Sequence, residues 1–319
     1  MTTEQWVRIS NDTFNVALLG YVGAMVGYFY YLAFRKLTVW RVASTVTWIA
    51  LAAHAVSIAT RGVAADRVPW GNLYEFSSLL AWLVVAAYLV IVEWRHKVRT
   101  LGGFALAFSV LTMAIAVSFF YVGPAPLVPA LNSYWIRIHV VAVILGSALL
   151  ALGGGVLTGL YLFQDRRERR RAELAPPPIA GGATDLQSAS SDPDAPPDLV
   201  SDELASGPVP RRGLLPPAAT LDRLAYRTIA FAFPIYTFAV IAGAIWAQEA
   251  WGRYWGWDPK ETWSFIVWVV YAGYLHARST AGWRGRRAAV IALIGFGALM
   301  VNYYVVNTVI DGLHSYSGV

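Results

Sequence analysis

The stretch "WGRYWGWDPKETWSFIVWVVYAGYLHAR", residues 251–278, places four tryptophans within thirteen positions, directly ahead of an apolar run. Asp258, Pro259 and Glu261 stand in the order typical of the N-cap, first and third positions of a helix. The stretch therefore predicts an indole-rich segment that leads into a capped helix. The tryptophans concerned are Trp251, Trp255, Trp257 and Trp263.

Composition sets the class of protein around this stretch. The 319 residues are 57% hydrophobic and 14% charged, with a mean hydropathy of +0.50, which excludes an ordinary soluble globule. We expect an all-α, polytopic membrane protein with about eight transmembrane helices, because eight apolar runs approach the roughly 20 residues that cross a bilayer. The absence of cysteine excludes disulfides, thiolate metal sites and a cysteine nucleophile. The runs are 14–34, 40–60, 73–92, 101–122, 138–162, 229–247, 262–277 and 288–310.

Basic residues and prolines predict the orientation and the domain organisation. With the N-terminus outside, 19 of the 25 lysines and arginines fall in inner loops, which favours an N-out, C-out topology. Residues 165–222 hold ten of the sixteen prolines and few bulky apolar residues, as in a disordered cytoplasmic linker. The chain then divides into helices one to five (1–164), the linker (165–222), and helices six to eight with the external Trp-rich loop (223–319).

The histidines fall at different predicted depths. His139 lies at the outer end of helix five, and His314 follows helix eight on the same side. His276 lies near the inner end of helix seven, about 12 Å in depth from His54 of helix two. Two ligands of one metal must approach within about 4 Å of each other, so these last two cannot share an iron. For His54 we favour hydrogen bonding between helices.

Indole at this density is explained either by an interfacial aromatic belt or by a surface for a large, flat, apolar ligand. Haem suits such a surface, because its iron takes axial histidines and its propionates attract cations. The residues alone leave a quinone-type site equally open. No residue has the pattern of a catalytic nucleophile or an acid–base pair. The candidate cations are Arg253, Lys260 and Arg137.

Beyond composition, the quoted stretch resembles the tryptophan-rich "WWD" signature of haem-handling proteins, specifically the system II cytochrome c biogenesis family called CcsA, CcsB or ResC. "GNLYEF" (71–76), "LNSYWIRIHV" (131–140) and "DGLHSY" (311–316) resemble the same family in order and placement. The similarity thus covers nearly the whole chain apart from the linker.

This resemblance implies specific roles. His139 and His314 would ligate haem iron at an external site, against the Trp-rich loop that includes Asp258. His276 would be one ligand of a transmembrane haem site, completed by a ResB-type partner protein. The implied activity is that of a holocytochrome c synthase complex, which moves haem b outward and presents it to the Cys-x-x-Cys-His thiols of apocytochrome c.

Two other classes of function remain open. One is a haem exporter without synthase activity, and the less favoured one is a b-type haem electron-transfer protein. The expected location is the plasma membrane or a thylakoid-type equivalent, with haem attachment on the outer face.

Overall fold

The computed structural model describes residues 1–125, 133–174 and 213–313, and these residues form helices and the segments that join them. Eight helices follow one another along this part of the chain. They are α1 (Thr3–Phe34), α2 (Leu37–Ala65), α3 (Leu73–Arg95), α4 (Gly102–Phe119), α5 (Tyr134–Glu173), α6 (Ala218–Trp251), α7 (Pro259–Ser279) and α8 (Arg286–Thr308).

Seven of these helices are long and apolar enough to cross a membrane, so the expected all-α, polytopic membrane architecture is confirmed. The exception within the described ranges is α7, which has 21 residues and packs against α6 and α8. Its hydropathy is lowered by charged residues at its ends, Lys260, Glu261 and Arg278, and by the tryptophans, tyrosines and His276 between them. The predicted count of about eight therefore becomes seven by length and hydropathy, with α7 as an eighth helix of the same bundle.

Helices extend beyond the predicted runs, most notably into the linker. α5 continues to Glu173, and α6 begins at Ala218. The prediction of a disordered linker is therefore wrong at residues 165–173 and 218–222, where helix is present. One reason is that "DRRERRRAE" consists of good helix formers, with Arg169 and Asp165 paired one turn apart at 3.1 Å. Residues 175–212 of the predicted linker lie outside the described residues.

Three helices contain π-helical segments, in which the backbone takes an extra residue per turn. They are Tyr88–Arg95 in α3, Ala151–Leu157 in α5 and Val301–Val305 in α8. The α5 segment carries three consecutive glycines, and two of them receive aromatic rings from neighbouring helices: Gly154 faces Tyr271 and Gly155 faces Phe296. The small residues thus let α7 and α8 approach α5 closely.

The connecting segments separate to the two ends of the bundle. At one end, Arg67 donates to the Ala125 carbonyl at 2.8 Å. At the other end, the Arg278 guanidinium pairs with Asp222 at 2.6 Å and joins α7 to α6. We call the first the Trp-loop end, which holds residues 66–72, 120–125, 252–258 and 309–313, and the second the arginine end, which holds residues 35–36, 96–101, 213–217 and 280–285.

Candidate functional site

A cavity opens at the Trp-loop end, between the start of α3 and helices α5 to α8. Its empty volume, which includes open solvent at the mouth, is about 1240 Å³. The part of that volume that can hold the centre of a water molecule is about 190 Å³. Concave, apolar walls with a few convergent polar groups are typical of ligand sites. The aromatic side chains in its wall are Trp70, Phe76, Tyr236, Trp246, Trp251, Tyr254, Trp255 and Tyr303.

His139 of α5 lines this cavity and is held by α6. Its Nδ1 lies 2.8 Å from the carbonyl oxygen of Ala239, so this nitrogen carries a proton and donates, which in the neutral imidazole places the lone pair on Nε2. The ring stacks on the indole of Trp246, with centroids 6.3 Å apart and planes 12° from parallel. It also packs against Gly243, where a Cβ atom would lie only 2.7 Å from the imidazole. Metal-binding histidines usually donate their second ring nitrogen to a carbonyl or carboxylate in this way.

The four predicted tryptophans divide into two pairs. Trp251 and Trp255 line the cavity, and Trp251 contacts Trp246 at 4.8 Å between centroids. Trp263 instead packs with the apolar core formed by α5 to α8, and Trp257 is 66% exposed outside the cavity wall. The geometry therefore brings only half of the predicted indole to the cavity.

Trp246 itself was missed by sequence reasoning, because it lies five residues before the signature and inside an apolar helix. It is 1% exposed and is the largest fully buried side chain among the described residues. Gly243 was missed too. The one signal for both was the small, aromatic-rich end of α6, "AGAIWAQEAW", which leads directly into the Trp-rich loop.

The Trp-rich loop bends around Glu261. One carboxylate oxygen of Glu261 accepts the backbone N–H groups of Gly256 and Asp258, at 2.8 and 3.1 Å. Trp257 stands between these two residues with a φ of +59°, a left-handed conformation that non-glycine residues seldom adopt. Such strain persists where surrounding contacts over-determine it, and it is common at functional sites. Arg253 lies 3.6 Å from the other oxygen of Glu261, so this predicted propionate ligand forms an ion pair with the residue around which the loop bends.

Asp258 makes two kinds of contact. As predicted, it caps α7, with Pro259 at the first position and Glu261 completing a capping box. One of its oxygens accepts the Lys260 backbone N–H at 3.1 Å, and the other accepts the Leu313 N–H at 2.7 Å. The signature aspartate therefore joins the Trp-rich loop to the chain that follows α8.

The other predicted cations differ in their surroundings. Lys260 lines the cavity, but its ammonium donates to the Asn302 carbonyl at 2.9 Å and to the Asn307 side chain at 2.8 Å. Arg137 is exposed on α5, two residues before His139. These surroundings do not show what either cation binds. Binding of haem propionates by Lys260 and Arg137 therefore stays a prediction.

Polar groups at the floor of the cavity are unsatisfied within the described part of the chain. The hydroxyl of Tyr236 and the side-chain oxygen of Asn302 are buried without a hydrogen-bond partner there. Buried polar groups are usually paired with protein or ordered water. The cavity floor is thus suited to hold water or a polar group of a ligand.

Glu75 fixes the wall contributed by the start of α3. Its buried carboxylate accepts from Arg61 at 3.0 Å and Arg67 at 2.7 Å, and from the Gly71 N–H at 2.8 Å. Asn72 caps α3, because its side-chain oxygen accepts the Glu75 backbone N–H at 2.9 Å. This charged cluster holds Trp70 and its neighbours against the cavity.

Two other histidines that the structure describes, His54 and His276, lie outside the cavity lining. His54 is fully buried and bonds Ser78 at 2.9 Å and Tyr21 at 3.4 Å, which confirms the predicted bonding between helices. His276 is exposed on the last turn of α7, toward the arginine end. His314 lies outside the described residues, and Leu313 directly before it is placed by Asp258.

Fold and site together define a multi-pass membrane protein with an aromatic cavity built around one oriented histidine. The family model described as "Cytochrome C assembly protein" matches residues 70–314. A Gloeobacter violaceus protein named cytochrome c biogenesis protein CcsA is 35% identical over 99% of this chain and 98% of its own length. The Porphyra purpurea protein of the same name is 35% identical over 97% of each chain.

The chain belongs to the cytochrome c assembly protein family, and its role lies in cytochrome c biogenesis. Its fold is similar to that of the solved structure titled "Cytochrome c Heme Lyase CcmF", with a TM-score of 0.63 at 15% identity. That match covers 95% of this chain, which spans about half (47%) of the length of CcmF.

Proposed function

We propose that this chain is the haem-handling subunit of a cytochrome c synthase complex, with a ResB-type partner and apocytochrome c as the acceptor. Haem b is the substrate, held in the cavity at the Trp-loop end with His139 on its iron. The observation that carries this proposal is the orientation of His139, a ring in the wall of an aromatic cavity whose Nδ1 is held by the Ala239 carbonyl, as in histidines that bind metal through Nε2.

The cavity wall supports haem as the ligand. A porphyrin is flat and apolar, and Trp251 and Trp255 supply indole faces and edges beside His139. A second axial ligand from His314 is part of the proposal. A quinone-type ligand needs no axial imidazole, so a histidine of the cavity wall that is held at Nδ1 by a carbonyl favours haem.

The reaction needs little chemistry from the protein. Each cysteine thiol of the acceptor adds across one haem vinyl group, so that a carbon–sulfur bond forms and the thiol hydrogen passes to the other vinyl carbon. No electron is gained or lost in this addition. The chain contributes orientation, burial and control of the iron's ligands. This is why no described residue needs to act as a nucleophile.

Topology supports attachment on the outer face. The arginine end carries most of the basic residues, and the cavity lies at the opposite end of the bundle. Under the positive-inside rule, the cavity would then open outside, and His276 would lie near the inner face. The exposure of His276 leaves its ring accessible to a residue of the ResB-type partner, as a shared transmembrane haem site requires.

The test is co-expression of the chain with a ResB-type partner and an apocytochrome, as wild type, His139→Ala and a control, His96→Ala, at the arginine end. We expect wild type and His96→Ala to co-purify with haem and yield thioether-linked cytochrome, and His139→Ala to lose both. Unchanged haem content and ligation in His139→Ala would refute the site. Bound haem that never becomes covalently attached in the wild-type complex would identify an exporter.

A further inference from the structure

The signature aspartate has more contacts than a helix cap requires. A single side-chain oxygen satisfies an N-cap, and in Asp258 one oxygen accepts the Lys260 N–H for this purpose. The second oxygen accepts the Leu313 N–H at 2.7 Å, a short, charge-assisted bond between residues 55 positions apart. The backbone packs closely at this point, since a Cβ atom on Gly312 would lie 2.7 Å from the same oxygen.

Lys260, two residues after Asp258, holds the same stretch. Its ammonium donates to the Asn302 carbonyl, inside the π-helical segment of α8, and to the Asn307 side chain. Two charged residues at the start of α7 thus bind three points along residues 302–313. Two of these three bonds join a side chain to the backbone, at Asn302 and Leu313, so they fix the path of the chain and not only its proximity.

From this arrangement we propose that Asp258 is a positioning residue, which sets where the chain leaves α8 and so where the second iron ligand stands. The proposal rests on the proposed function, in which His314 is that ligand. Consecutive Cα atoms are only about 3.8 Å apart, so anchoring Leu313 limits the space that residue 314 can reach. Asp258 would then contact neither haem nor iron, and would act only through the segment it holds.

Asp258→Ser isolates the anchor from the cap. Serine caps helices about as well as aspartate does, but it has one oxygen in place of two and carries no charge. Gly312→Ala attacks the same contact from the other side, because its added Cβ would displace the segment from an unchanged Asp258. Gly297→Ala is the matched control, since nothing lies within 4 Å of a Cβ at that position.

The measurement is the visible spectrum and haem-to-protein ratio of the purified complex, with thermal unfolding measured in parallel. We expect Asp258→Ser and Gly312→Ala to convert six-coordinate, low-spin iron to a five-coordinate form and to weaken haem retention by about 10-fold or more. Added imidazole should restore the six-coordinate spectrum in both variants, a response that a purely structural defect would not give. Gly297→Ala should match wild type.

Failure of this proposal can be separated from failure of the proposed function. If His314→Ala changes the ligation of the iron while Asp258→Ser and Gly312→Ala retain the wild-type spectrum, the anchoring role is refuted and the haem site stands. If neither His139→Ala nor His314→Ala alters haem content or spectrum, the haem site itself is refuted. A loss of folding in Asp258→Ser, with Gly312→Ala folded and spectrally normal, also counts against the anchor.

Discussion

Gly243→Ala tests how His139 is held without touching the histidine itself. A Cβ at residue 243 would lie 2.7 Å from the imidazole, whereas ordinary contacts begin near 3.4 Å, so the ring must move by about 0.7 Å. Gly243 and Ala239 are one turn apart on the same face of α6. A ring pushed off that face also moves away from the Ala239 carbonyl, and the 2.8 Å bond lengthens to about 3.5 Å, where it no longer holds.

Loss of the bond that orients a metal-binding histidine typically weakens metal binding by about 10- to 100-fold. We therefore expect Gly243→Ala to lower haem retention to that extent, measured as the haem-to-protein ratio and the visible spectrum after purification. The overpacking should cost about 1–3 kcal/mol of folding free energy, which thermal unfolding reports separately. Gly273→Ala, with nothing within 4 Å of its Cβ, is the control. Full haem retention in Gly243→Ala, beside loss in His139→Ala, would refute the argument.

Substitutions at three further positions, Gly154, Glu75 and His54, test the bundle. Gly154→Ala puts a Cβ 2.1 Å from the hydroxyl oxygen of Tyr271, so we expect a loss of about 1–3 kcal/mol of folding free energy. Adding Tyr271→Phe should relieve part of this loss, and the control Gly159→Ala, with open space around its Cβ, should change little. Thermal unfolding in detergent measures all three. Glu75→Gln leaves the buried guanidinium of Arg61 and the partly buried one of Arg67 without their carboxylate, and a loss of about 3–5 kcal/mol should appear in the same assay. His54→Leu removes two buried hydrogen bonds, so it should lower the unfolding temperature but leave the haem-to-protein ratio unchanged.

Features that depend on local sequence were predictable. The cap of α7 by Asp258 and Glu261 follows from spacing alone, because the groups that it satisfies lie within one helical turn. His54 was predictable in kind, since a buried polar group inside a membrane bundle needs a partner. Its partner Ser78, on another helix, was not, because helix rotation and register decide which side chains meet.

The wall of the cavity depends on tertiary packing. Trp255 and Trp263 belong to one signature and are eight residues apart, yet one lines the cavity and the other packs in the core, because α7 begins between them and turns the second away. The roles of Trp246 and Gly243 depend on the packing of α5 against α6, because both residues contact His139 of α5. The predicted start of the linker was wrong for a different reason. Residues 165–173 are highly charged, as linkers are, but most of them are also good helix formers, and they extend α5.

The π-helical segment Val301–Val305 has a consequence for how this end of the protein tolerates insertions and deletions. Each residue added to or removed from a helix rotates everything beyond it by about 100°. Loss of a single residue at this wide turn would carry Asn307 out of reach of Lys260 and turn residues 309–313 away from Asp258. Natural length variation should therefore be rare between residues 301 and 313, and a comparison of related sequences in this interval would show it directly.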